Sequence, residues 1–180
     1  MPKISNYPRK PFTTAIEIAE NVDKLGAKCS VQLLADKLDR KIGGSFNSSV
    51  SAAIKHGLIE KNKNELRLTE LYTNIKLAYN EEEKNQNLQK AFLEPDTYKE
   101  ILQRFDGNEI PIDVLDKILI REYEVKESIS QLVANNMIKG GESVGLINNG
   151  KVNLNGVDLS ETEETEETEE TEKTEIQTSE

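Results

Sequence analysis

The chain has 180 residues and a formal net charge of −10 at pH 7, with one Cys, one His and no Trp. No apolar run approaches the roughly 18–20 residues of a membrane span, Cys29 alone excludes an internal disulfide framework, and Cys29 with His56 cannot build a structural zinc site. The first residues lack the apolar stretch of a secretory signal, so a cytoplasmic protein without metal or cofactor is expected.

The charge is unevenly spread along the chain. The stretch Glu161–Glu180 holds ten Glu and one Lys and carries −9 by itself. Residues 1–78 have 13 basic and 8 acidic side chains (net +5), and residues 79–160 have 9 and 15 (net −6). A basic first part, an acidic second part and a polyanionic end follow one another.

Residues 1–11, with Pro2, Pro8 and Pro11 among basic and polar residues, read as a flexible basic arm. A helix over about 14–25 follows, with Thr13 as its cap and Gly26 as its stop. Ser30 caps a second helix, VQLLADKLDRK, whose last turn is loaded with Lys37, Arg40 and Lys41. After the turn Ile42-Gly43-Gly44, Ser45 or Asn47 opens a third helix that ends at Gly57, with Phe46, Val50, Ala53 and Ile54 apolar. His56, at that helix end, reads as a cation favoured by the helix dipole. Leu58-Ile59 and Leu66/Leu68 alternate like strands around the polar tip 60–64, which predicts a hairpin.

After a short apolar stripe at Leu71 and Ile75, Asn80 and three following Glu open a connecting helix of about 81–93, which carries a second stripe at Leu88, Ala91 and Phe92 and ends before Pro95. The second unit repeats the outline of the first. Asp96 caps a helix with Gly107 behind it, Pro111 starts another, and a third runs from Val125 to a stop at Gly140-Gly141. Asn149-Gly150 then supplies the turn of a second hairpin. The domain limits predicted are 1–11 (arm), 12–78, 79–94 (linker helix), 95–158 and 159–180, the last a Glu/Thr-rich tail too polar to bury a core and expected to be disordered. The fold class expected is mainly α with small β-hairpin wings (α+β).

LLADKLDRKIGGSFNSSVSAAIKHGLIEKNKNELRLTELY resembles the winged helix-turn-helix superfamily in its order of helix, turn, recognition helix, Gly-Leu-Ile step and wing. Over residues 12–155 the chain looks like a tandem winged-helix protein. The layout of LRLTELYTNIKLAY, linker helix and AFLEPDTYKEILQRFDG is similar to a prokaryotic domain family of unknown function. The resemblance implies binding to double-stranded DNA, with the third helix in the major groove.

The candidate DNA-binding residues sort by chemistry. Asn47 can bond adenine with both polar atoms of its amide, and Ser45, Ser48, Ser49 and Ser51 can reach base edges or phosphates. Arg40 and Lys41 in the turn, Lys55 late in the helix, and Lys61, Lys63 and Arg67 in the wing can hold phosphates, while Arg9 and Lys10 can reach a minor groove. The acidic second unit is the poorer DNA reader and is expected to pack, to form a homodimer or to bind a protein partner. The alternative reading is an adaptor with two protein-binding winged helices.

No catalytic site is expected. The pairs Asp36/Asp39 and Asp113/Asp116 lack a His, Cys or third acid beside them, and Cys29 reads as a small core or surface cysteine. The tail suggests one further device, a tethered polyanion that competes with DNA for the basic unit.

Overall fold

The computed structural model describes residues 6–160; the expectations for residues 1–5 and for the acidic stretch 161–180 lie outside them. Among the described residues are eight α-helices and two small antiparallel sheets, a mainly helical α+β fold.

Helix α1 (Phe12–Lys24) starts directly after Pro11, whose fixed φ sets the chain's entry, so Thr13 lies inside the helix and caps nothing. Phe12, Ala15, Ile18, Ala19 and Val22 form its buried stripe. Two consecutive left-handed residues, Gly26 and Ala27, then turn the chain into a strand that the sequence pattern did not announce, β1 (Lys28–Ser30). Ser30 caps α2 (Val31–Lys37) as expected, its hydroxyl accepting from the Leu33 amide at 3.1 Å. This helix stops short of Lys41 because Asp39 turns into the left-handed region.

Helix α3 (Gly44–Lys55) has backbone Gly43 at its N-cap, and Gly57, at φ +66, closes it as expected. Strands β2 (Ile59–Asn62) and β3 (Glu65–Leu68) form the expected hairpin, and β1 joins it in the order β1-β3-β2. Thr69 then caps α4 (Glu70–Lys76) and donates its hydroxyl to Gly57 O, which ties this helix to the end of α3.

Asn80 opens α5 (Glu81–Leu93), accepting from the Glu83 amide at 2.8 Å. Pro95, not Asp96, stands at the N-cap of α6 (Asp96–Arg104). A short 3-10 turn over Ile112–Val114 leads into α7 (Leu115–Tyr123), followed by α8 (Glu127–Ser143) and the hairpin β4 (Ile147–Asn148) and β5 (Lys151–Val152). Asn149 and Gly150 both have positive φ, as a two-residue turn between twisted strands requires.

Gly140-Gly141 does not stop α8, which runs on to Ser143. The two glycines serve packing. A Cβ on Gly140 would overlap the Phe92 ring, and one on Gly141 would come within 2.6 Å of Ile147 Cδ1. The helix therefore lets α5 approach on one side and the second hairpin on the other.

In both halves an earlier segment runs beside the second strand of the hairpin. In the first, β1 lies between α1 and α2 and flanks the second hairpin strand. In the second, the segment between α6 and α7 runs beside β5 without forming a strand, through one parallel bridge (Asp106 with Val152) and one antiparallel bridge (Glu109 with Lys151): Gly107 N donates to Val152 O at 2.9 Å, Val152 N to Asn108 O at 2.9 Å, and Ile110 N to Gly150 O at 2.8 Å.

The buried apolar residues of both halves form a single cluster. At its middle, Phe12 of α1, His56 after α3, Phe92 of α5 and Tyr98 of α6 meet ring to ring, with centroids 4.8–5.9 Å apart. The end of the connecting helix (Ala91, Phe92, Leu93) is thus core. Residues 6–11 also pack down, unlike a flexible arm: Tyr7 and Pro8 are buried, Asn6 O accepts from Thr97 N at 3.3 Å, and Tyr7 O accepts from Lys55 Nζ at 2.9 Å.

Candidate nucleic-acid interface

Helix α3 buries Phe46, Ser49, Val50, Ala52 and Ala53 and turns its other side outward. Ser45 and Asn47 are exposed there, with Ser48 and Ser51 half-exposed beside them. Ser49 does not belong to this face. It is fully buried and donates its hydroxyl to Ser45 O at 3.1 Å, so it cannot touch a nucleic acid. Its spacing from Phe46 and Ala53, three and four residues away, places it on the inner stripe, a signal present in the sequence.

The packed N-terminal segment lays cations across this helix. Arg9, Asn47, Ser48, Ser51 and Lys55 line one shallow open depression. Lys10 Nζ donates to Ser45 Oγ at 3.0 Å, and Arg40 Nη2 reaches the same oxygen at 3.5 Å. Lys55 is half-buried, its ammonium 5.7 Å from the centroid of the Tyr7 ring. Burial lowers its pKa, and the nearby Arg9 charge adds to the effect. Two like charges share one rim of hydroxyls and an amide, and α3 itself contains no Asp or Glu. An anion seated there would relieve the repulsion between them.

The remaining candidates fall into three groups. Lys41 is exposed and Arg40 half-buried in the α2–α3 turn, where Asp36 and Asp39 line the same hollow and offset part of their charge. Lys61 and Lys63 stand exposed at the hairpin tip, with Lys63 in the left-handed region. Arg67 is not a free cation. It lies on the central strand opposite Lys28 and Glu60, and its guanidinium holds the Glu65 carboxylate, which also receives Lys28 Nζ at 3.0 Å. Hydrogen bonds from Arg67 and then Lys28 keep the Glu65 carboxyl below its ordinary range. Lys28 and Tyr7 are the participants that sequence reasoning missed; the first needed β1, the second needed the docking of the N-terminal segment.

His56 is corrected by its surroundings. It occupies the C-cap of α3, yet its ring is fully buried, with Nδ1 2.9 Å from Ala91 O. Burial drives its pKa down to about 4, so it is a neutral core ring that donates to Ala91 O and not a cation on a helix end. Cys29 is buried and its thiol pKa is raised by burial, which makes it a core residue. On α8, Glu127, Ser128, Gln131 and Asn135 are exposed, whereas Ser130 is buried and donates to Glu127 O at 3.0 Å. Among the described residues no three His, Cys, Asp or Glu side chains converge as metal ligands would, and no helix is long and apolar enough to cross a membrane. Comparison with protein families, curated proteins and solved structures returns no match to this chain.

Proposed function

We propose that residues 12–78 form a winged helix that binds double-stranded DNA through α3, and that the protein is a non-enzymatic cytoplasmic regulator or the DNA-contacting subunit of a larger assembly. The observation that carries this reading is the acid-free outer face of α3, where Asn47, Ser48 and Ser51 lie beside Arg9 and Lys55. In such a complex the Asn amide and the hydroxyls address base edges, while the cations around them neutralise phosphates. Lys61 and Lys63 at the hairpin tip hold the flanking backbone, and Lys10 and Arg40 hold Ser45 at the start of the helix. Residues 95–158, with the same order of helices and hairpin but an acidic balance, act as a second winged helix that packs on the first and stays off the duplex.

The test is duplex binding by fluorescence anisotropy across a salt series, for the natural chain and for Arg40→Glu, Lys41→Glu, Lys61→Glu and Lys63→Glu combined. Binding at low salt should weaken steeply with salt. The combined variant should bind at least tenfold more weakly and with a shallower slope, each lost phosphate contact removing about 0.9 from the log–log slope. Absence of binding at low salt by the natural chain overturns the proposal and leaves the two units as adaptor surfaces.

A further inference from the structure

Asn47 or Ser48, then Ser51, then Lys55 recur every three or four residues along α3, so their polar ends stand in one stripe over about two turns of the helix. Arg9 joins this stripe from outside, because the segment that precedes α1 is held in place. Tyr7 and Pro8 are buried, Asn6 O accepts from Thr97 N of α6 at 3.3 Å, and Pro11 leads directly into α1. Tyr7 also meets α3 itself: its carbonyl accepts from Lys55 Nζ at 2.9 Å, and its ring centroid lies 5.7 Å from the same ammonium. The result is a hollow of about 300 Å³ lined by Arg9, Asn47, Ser48, Ser51 and Lys55, with no carboxylate and no apolar side chain in that lining. Neither cation pairs with a carboxylate among the described residues. Ligand pockets for apolar molecules are lined mostly by apolar and aromatic side chains, so a small open hollow made only of donors suits a compact anionic group.

We propose that the docked segment and α3 together form a seat for one phosphate group, in which Arg9 and Lys55 share its charge, the Ser51 hydroxyl bonds one of its oxygens, and Tyr7 positions both cations. A phosphate carries up to about two negative charges and several strong acceptor oxygens, which match two cations without carboxylate partners set among neutral donors. The guanidinium adds a planar fork that can hold two of those oxygens at once. The neighbouring cations are engaged differently: Lys10 and Arg40 both reach Ser45 Oγ, at 3.0 and 3.5 Å. Within the DNA reading the seat narrows the division of labour on α3. Asn47, near the start of the helix, stays available to base edges, while Ser51, one turn before Lys55, serves the backbone. The seat itself stands without that reading, and only the source of the phosphate rests on it: a backbone phosphate if a duplex binds, a free phosphate group if none does.

Titration of the full chain with inorganic phosphate, followed by two-dimensional amide NMR at constant ionic strength, tests the seat without DNA. Signals of Arg9, Ser51, Lys55 and their neighbours should shift saturably with phosphate, and chloride should not reproduce the shifts. Arg9→Gln and Lys55→Gln should each abolish them, whereas Lys24→Gln, which removes an equal charge at the exposed end of α1, should keep them. Tyr7→Ala should lose them with the rest of the spectrum unchanged, and Tyr7→Phe, which retains the ring and the carbonyl, should show them in full. Absence of phosphate-specific shifts in the natural chain overturns the seat, whether or not a duplex binds, and their survival in Tyr7→Ala overturns the positioning role. With a random duplex, Arg9→Gln and Lys55→Gln combined should reduce the log–log salt slope by about 0.9, as for one phosphate, while a reduction of about 1.8 would mean two separate phosphates and overturn the sharing. A natural chain that takes phosphate but no duplex keeps the seat, and the DNA reading alone falls.

Discussion

His56 resists protonation down to about pH 4 because its ring is enclosed by Phe12, Phe92 and Tyr98, while the same side chain in an unfolded chain takes up a proton near pH 6.5. Between these values the unfolded state binds more protons than the folded one, so stability falls as pH drops through that window. The full loss amounts to roughly 3 kcal/mol, complete only below about pH 4. Urea denaturation at pH 7 and pH 5 should show this slope in the natural chain and a flatter one in His56→Phe, which has no imidazole to charge; equal slopes would sink the assignment. Because His56 Nδ1 donates to Ala91 O, the tautomer is fixed and the buried Nε2 has no hydrogen-bond partner. The residue pattern around Gly57 marked the helix end but could not show that α5 and α6 close over it, since that burial is made by residues 35 or more positions away.

Elements whose cause is local were legible, and those whose cause is a distant partner were not. The Ser30 cap, the Asn80 cap with its trailing carboxylates, and the Asn149-Gly150 turn each follow from a few adjacent residues. Strand β1 has three residues and exists only because β3 lies beside it, so no periodicity announced it. Gly140-Gly141 was misread because a glycine that ends a helix and one that admits a neighbour look alike in sequence. The two roles predict opposite effects of alanine. Gly140→Ala drives a methyl group into Phe92 and should destabilise by about 1–3 kcal/mol, more than the propensity gain of up to about 1 kcal/mol offsets. Gly44→Ala, in the first turn of α3 with no atom within 4 Å of its added methyl, should be neutral or stabilise by a few tenths of a kcal/mol. Thermal unfolding of both variants separates these outcomes, and a tolerated Gly140→Ala would show that the α5–α8 contact is loose.

At the scale of the whole molecule, the net charge of −10 hides a basic first half in which α3 carries no acid. The second half is joined to it through the shared aromatic centre, and the chain beyond β5 returns to the connecting helix: Asp158 pairs with Lys90 at 3.6 Å, and Leu159 packs against the core. Ser160 lines a hollow with Glu70, Asn87 and Lys90, so the acidic stretch leaves the described fold beside α4 and α5. Its 20 residues would span up to roughly 70 Å if extended. A tethered polyanion acts at high effective concentration and competes with phosphates for the same cations. Removal of residues 161–180 should therefore tighten binding to a random duplex at low salt, severalfold or more, with the gain shrinking as salt screens both competitors. Lys41, Lys61 and Lys63 are exposed and open to both ligands, and their replacement by Gln should reduce the difference between full-length and shortened chains. Equal affinities of the two chains at low salt would mean that the acidic stretch does not mask the face, whatever the affinity itself.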